Sequence, residues 1–241
     1  SSKTRILIIL YLECFIIVIM KMGQLYIVAT PIGNSEDITM RAIRILGEAD
    51  VVICEEHRQG STLLKKLGIT PRELVPLNEH NETELAATLV QRMLLGESMA
   101  LISDAGTPVF ADPGAELIRQ AVEVGIVVTA VPGASSLMAL LSLLDIKLER
   151  FVYVGFLSRS PQERRQELQR FLRLNLPLVI MDTPYRLSGL LEDIEKTAGK
   201  NRRLTLGLNL TQPAEQVLRG TVAEIRRVVQ NRKAEFILIL Y

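Results

Sequence analysis

Leu25-Tyr26-Ile27-Val28-Ala29-Thr30, running directly into Pro31-Ile32-Gly33-Asn34, is the stretch whose reading decides the fold. A short apolar run without clean alternation, closed by Pro and Gly, is what a strand buried on both faces of a parallel sheet looks like. Downstream, Ile38, Ala42, Ile45 and Leu46 recur at helical spacing, with Asp37 as the expected cap. The couplet then repeats. Apolar runs at 51–54, 74–77, 99–103 and 127–131 alternate with helical patterns at 61–67, 82–95, 115–124 and 135–144. Strand-helix alternation of this kind gives a parallel sheet covered by helices.

Asp145–Arg150 reads as a linker, and a second set follows. Strands are expected at 151–154 and 178–181, with helices at 161–174 and 186–197. Further strands at 203–208 and 216–219 lie too close together for a helical crossover, so the second sheet is expected to be mixed. A helix at 222–230 and a strand at 235–240 complete it. The expected class is α/β, with one α/β domain at 23–145 and another at 146–241.

Residues 1–22 stand apart. Lys3 and Arg5 precede an apolar run from Ile6 to Met20 that imitates a secretion signal. The run is shorter than the roughly 20 residues that span a bilayer. Glu13 near its middle would cost about 2.5–3.5 kcal/mol there, and no small-residue cleavage site follows. Met22 is the expected start, with 1–22 an extension outside the native body and no stable membrane partner.

The 241 residues are 48% hydrophobic and 23% charged, which excludes disordered and low-complexity classes. The net charge is +1, so no overall basic field advertises a polyanion. The halves differ. Residues 1–150 hold 13 Lys and Arg against 18 Asp and Glu, net −5; residues 151–241 hold 15 against 9, net +6. The second half includes Arg159, Arg164, Arg165, Arg202, Arg203, Arg226 and Arg227, whose forks suit phosphates. No aromatic residues interleave with them to make a stacking platform. Two Cys, two His and no CxxC or HExxH argue against a disulfide scaffold and a zinc site, and point to a reducing cytoplasm.

The chemistry is expected in four loops at strand ends: Thr30–Asn34, Ser103–Pro108, Val131–Ser136 and Asp182–Arg186. Ligands of open α/β sheets sit at the carboxyl ends of strands. Gly lets backbone approach a ligand closely, and Pro stiffens the loop. No GxGxxG follows the first strand and no GxxxxGK[ST] occurs, which disfavours a Rossmann dinucleotide site and a P-loop NTPase.

These segments carry a resemblance. Residues 25–34 with Glu36-Asp37-Ile38-Thr39 and Arg41-Ala42 are similar to the opening of the small-subunit ribosomal RNA methyltransferase I family, part of the tetrapyrrole-methylase superfamily. His80-Asn81-Glu82, Ser103–Pro108, Ala111–Gly114, Pro132–Ser135, Gly155-Phe156-Leu157 and Thr183–Leu187 continue it in order. The family usually shows Glu-Asp-Thr-Arg where this chain has Glu55-Glu56-His57-Arg58. The resemblance implies two tetrapyrrole-methylase-like α/β domains, with S-adenosylmethionine in the cleft between them. By it, Ile32, Gly106, Thr107, Pro108, Phe110, Ser135, Ser136, Tyr185 and Leu210 contact the cofactor, and no metal is used. It also implies methylation of a ribose 2′-hydroxyl in small-subunit ribosomal RNA by a homodimer.

A ribose hydroxyl is a poor nucleophile and benefits from a base. The candidates are Glu55, Glu56, His57 and His80, the last with Glu82 beside it. Asn34, Arg58 and Arg186 are candidate substrate contacts. Two alternatives remain open at this point: methylation of a tetrapyrrole ring carbon, and a non-catalytic RNA-binding assembly factor, the latter resting only on the altered 55–58 segment.

Overall fold

The computed structural model describes residues 22–230 and 232–241. The expectations for residues 1–21 fall outside them. Contacts divide the described chain into two compact units. One comprises the chain up to Pro31 with Ser35–Gly133; the other comprises Ile32–Asn34 with Ala134–Tyr241.

The first unit is built on β1 (Gln24–Val28), β2 (Val51–Cys54), β3 (Leu74–Pro76), β4 (Met99–Ile102) and β5 (Val127–Val131). They are ordered β3-β2-β4-β1-β5 and all pair in parallel. The period-2 geometry of a strand sends alternate side chains to opposite faces. Leu25, Ile53, Met99 and Leu101 enter one core, covered by α3 (Glu82–Leu94) and α4 (Ala115–Glu123). Val28, Val52, Ala100 and Ile102 enter the other, covered by α1 (Met40–Glu48) and α2 (His57–Lys66). Burial on both sides is why these strands read as unbroken apolar runs.

Local chemistry shifts some boundaries. Thr39, rather than Asp37, caps α1, accepting the Ala42 N–H at 3.1 Å, because Ser35–Asp37 closes a short 3-10 turn first. The helix expected from Ser61 begins at His57, placing His57 and Arg58 in its first turn.

The second unit orders β6 (Val152–Gly155), β7 (Leu178–Asp182), β8 (Arg203–Leu208), β9 (Gln216–Thr221) and β10 (Phe236–Leu240) as β6-β7-β10-β8-β9. Only β6 and β7 pair in parallel. The sheet is therefore mixed, as the short 208–216 connection required. One face packs under α6 (Pro161–Leu172), α7 (Leu187–Ala198) and α8 (Val222–Val229). The opposite face, with Val179, Ile237 and Ile239, is covered by α5 (Ser136–Ser142), Ile32 and Leu210. Helix α5 thus lies in the second unit, ahead of the segment read as a linker. Its Leu140 is fully buried against that sheet, and burying one such side chain contributes about 1.5–3 kcal/mol.

Candidate active site

In the first unit the connection after β1 crosses over β4, and the connection after β4 crosses over β1 in the opposite direction. The carboxyl ends of β1 and β4 therefore form a topological switch point, where open α/β sheets bind ligands. The two loops are tied there. The Thr30 N–H donates to Gly106 O at 2.8 Å and the Gly106 N–H returns to Thr30 O at 3.1 Å. The Thr30 hydroxyl donates to Ser103 O at 3.2 Å, and the Ser103 hydroxyl to Gly106 O at 3.2 Å. Both hydroxyls are buried. Gly106 has φ 86° and Val109 φ 71°. The first is a conformation suited to Gly; the second is strained for a β-branched residue. The fixed turn leaves Thr107 and the Phe110 ring exposed while burying Gly106 and Pro108. Backbone amides, a hydroxyl and a flat apolar ring suit a ligand with an aromatic base and a polar amino-acid end.

Carboxylates gather beside this turn. Burial raises the Glu55 carboxyl above the ordinary range, and the charges of Asp112, Asp104, Glu79 and Glu56 raise it further. Asp104 is raised by burial and Glu56, and Asp112 by burial and Asp104, with Ser103 pulling Asp112 the other way. The same surroundings act on Cys54, whose thiol is pushed up to about 11 by burial first and then by Asp104 and Glu56. A thiol that stays protonated is no nucleophile.

The other candidate bases sit differently. Glu56 and His57 are exposed around the start of α2. His80 is exposed and 3.6 Å from Glu79. Glu82 has a structural task, its Oε1 accepting the Gly114 and Glu116 N–H groups at 2.8 Å each. That carboxylate caps the N-terminus of α4, where a negative charge is favoured. Arg58 is exposed on α2.

In the second unit, Ile32 packs into the core that holds Leu140 and Leu210. A Cβ on Gly33 would lie 3.0 Å from Leu210 O and 2.9 Å from Thr211 Oγ1, so only Gly permits this approach. The Asn34 N–H donates to Thr211 Oγ1 at 3.1 Å. Thr211 and Asn209 hold positive φ, 67° and 47°. Ser135 caps α5, and the Ser136 hydroxyl lies 3.9 Å from Met181 Sδ. Leu210 is buried in that core. Tyr185 is exposed. Arg186 is taken up locally, donating to Leu157 O and Ser158 O at 2.9 and 2.5 Å and facing Asp182 at 3.2 Å.

The arginine set divides. Arg164 is buried against Asp193, which also binds Arg165, and Arg226 pairs with Glu195. Arg159, Arg203 and Arg227 are exposed. Lys200, Arg226 and Arg227 line a groove of about 470 Å3 between α7 and α8.

The tetrapyrrole (corrin/porphyrin) methylase family model matches residues 24–226. A ribosomal RNA small subunit methyltransferase I of Neisseria meningitidis serogroup A is 40% identical over 223 residues, 91% of this chain and 76% of the relative. The chain belongs to the ribosomal RNA small subunit methyltransferase I family. A relative of the same name from Leptospira biflexa is 40% identical over 219 residues, 90% of each chain. As a member of this family, the protein is a methyltransferase. The crystal structure of uroporphyrin-III C-methyltransferase from Thermus thermophilus, complexed with S-adenosylhomocysteine, aligns with a TM-score of 0.65. It covers 90% of this chain and 97% of its own at 21% identity, a likeness of fold.

Thr30 and Ser103 lie in loops that the sequence marks for the chemistry, and Asp112 in a segment that carries the resemblance, but the sequence singles out none of the three individually. Thr30 and Ser103 carried a signal: each is a small hydroxyl ending an apolar strand. The turn at Asn209–Glu215 carried none, because positive φ at non-glycine residues is imposed by packing. Among the described residues, no helix is long and apolar enough to cross a membrane.

Proposed function

We propose that the protein transfers a methyl group from S-adenosylmethionine to a ribose 2′-hydroxyl of small-subunit ribosomal RNA. The observation that carries this reading is the tied Thr30–Gly106 switch point with raised carboxylates next to it, in a chain whose relatives are named for small-subunit ribosomal RNA. Residues of the first unit suited to the donor are Gly106, Thr107, Pro108 and Phe110.

The chemistry the donor supplies when bound is a methyl group on a positively charged sulfur. The protein's contribution is alignment, which can lower a barrier by up to roughly 7–11 kcal/mol, and removal of the hydroxyl proton. Glu55 is the candidate base. It follows β2 directly, is partly shielded, and is lifted toward the pH at which a base works best. The Glu55 carboxylate would take the proton of the 2′-oxygen, and the donor's sulfur would keep the electron pair of the broken bond to the methyl carbon. Asn34 and Arg58 are the proposed substrate contacts.

The reading includes a cytoplasmic homodimer, which sedimentation at twice the chain mass supports and a monomer removes. Labelled methyl donor, offered with under-methylated small subunits and separately with a porphyrinogen, tests the substrate. Label on ribose supports the reading; label on the macrocycle alone replaces it with tetrapyrrole methylation.

A further inference from the structure

We propose that Phe156 and Tyr185 form a stacking platform for an unpaired nucleobase of the RNA substrate, with Lys233 supplying positive charge over one face of the Tyr185 ring. The inference rests on the RNA reading above. It gives Tyr185 a substrate role in place of the cofactor role that the resemblance implied.

The two residues lie far apart in sequence, and the second sheet makes the loops that carry them neighbours. Strands β6 and β7 run parallel with Gly155 opposite Ile180, so their carboxyl ends are neighbours. Phe156 follows the first and Tyr185 the second. Arg186 staples the two loops, donating to Leu157 O at 2.9 Å and Ser158 O at 2.5 Å while its other nitrogen faces Asp182. Asp182 in turn accepts the Thr183 N–H at 2.7 Å. Leu157 is buried in the core, and its neighbour Phe156 projects outward.

Exposure is selective. Phe156 is 52% exposed and Tyr185 is 77% exposed, whereas Phe151, Tyr153, Phe171, Phe236 and Tyr241 of the same unit are half-buried or buried. Solvent-facing aromatic rings are side chains that contact surfaces favour. Lys233 Nζ sits 4.8 Å from the centre of the Tyr185 ring, within cation–π range. Arg159, exposed, lies three residues beyond Phe156. Aromatic faces flanked by cations match a base with its phosphate. Single-stranded RNA is recognised by stacking of this kind.

The test uses the full chain. Y185A and F156A are each expected to raise the KM for under-methylated small subunits roughly tenfold, the range set by base–aromatic stacking. S-adenosylhomocysteine affinity, measured by calorimetry, is expected to stay unchanged, which also reports an intact fold. Y185F keeps the ring and is expected to keep the KM. A single-stranded RNA carrying 2-aminopurine reads the stack directly, with quenching on the unsubstituted protein and none on Y185A. A fall in S-adenosylhomocysteine affinity matching the KM change would return Tyr185 to the cofactor and overturn the proposal. So would an unchanged KM with unchanged quenching, or a Y185A variant altered only in oligomeric state. If the unsubstituted protein leaves RNA unlabelled, the activity reading fails separately, and the quenching comparison still decides the platform.

Discussion

Thr30 and Gly106 exchange two backbone hydrogen bonds, one in each direction, at 2.8 and 3.1 Å. They lie 76 residues apart, at the ends of neighbouring parallel strands. A two-way exchange within one residue pair is the antiparallel pattern, so the chain after β4 has turned by Gly106, and the tie fastens the Gly106–Phe110 turn to the end of β1.

Loosening this tie should weaken donor binding before it unfolds the protein. Thr30→Val keeps the shape but removes the hydroxyl that donates to Ser103 O. The expected loss is about 1–2 kcal/mol of stability in urea unfolding. Gly106→Ala places a side chain at φ 86°, a cost of roughly 1–2 kcal/mol, and is expected to lower S-adenosylhomocysteine affinity in calorimetry.

Glu55 should give the reaction its pH dependence. Its carboxyl is raised by burial and by Asp112, Asp104, Glu79 and Glu56. The working base is the deprotonated form, so the rate is expected to rise with pH through a value above the ordinary carboxylate range. Glu55→Gln should abolish that limb and lower the rate by about 10²–10⁴-fold. The stability sign is opposite. With a folded-state pKa raised above the unfolded one, the folded state binds more protons between the two values, and stability falls as pH rises through them. Glu55→Gln is therefore expected to raise Tm at neutral pH. A lower Tm would refute the electrostatic reading.

Glu82 separates a structural carboxylate from a catalytic one. Its Oε1 caps α4 through the Gly114 and Glu116 N–H groups. Glu82→Ala should cost about 1–2 kcal/mol in thermal unfolding, as loss of a cap does. The pH profile of the remaining activity is expected to match that of the unsubstituted enzyme.

Asp193 holds Arg164 and Arg165 at 2.5–2.8 Å and is almost wholly buried with Arg164. Asp193→Ala leaves a buried guanidinium unpaired and is expected to cost about 3–5 kcal/mol in denaturant unfolding. Replacing the pair together, Arg164→Met with Asp193→Leu, should recover most of that loss. Equal losses in the single and double variants would show that packing matters more than charge.

The sequence carried the fold in its periodicities. Apolar runs such as Val51–Cys54 and Met99–Ile102, separated by amphipathic helices, have one low-energy arrangement, a parallel sheet covered on both faces. The seven residues between Leu208 and Gln216 are too few for a crossover helix, which made the second sheet mixed. The loops that carry the candidate site were also legible, because Gly and Pro at strand ends follow local backbone rules. Their partners were not. Glu82 reads as a possible base until its carboxylate is found on α4. Arg186 reads as a substrate contact until its guanidinium is found on Leu157 O and Ser158 O. Phe156 and Tyr185 read as unrelated until β6 and β7 pair. A residue's type and local conformation depend on near neighbours and can be read along the chain. Its hydrogen-bond partners, burial and the charges that move its pKa come from segments tens of residues away, and only the folded sheets bring those together.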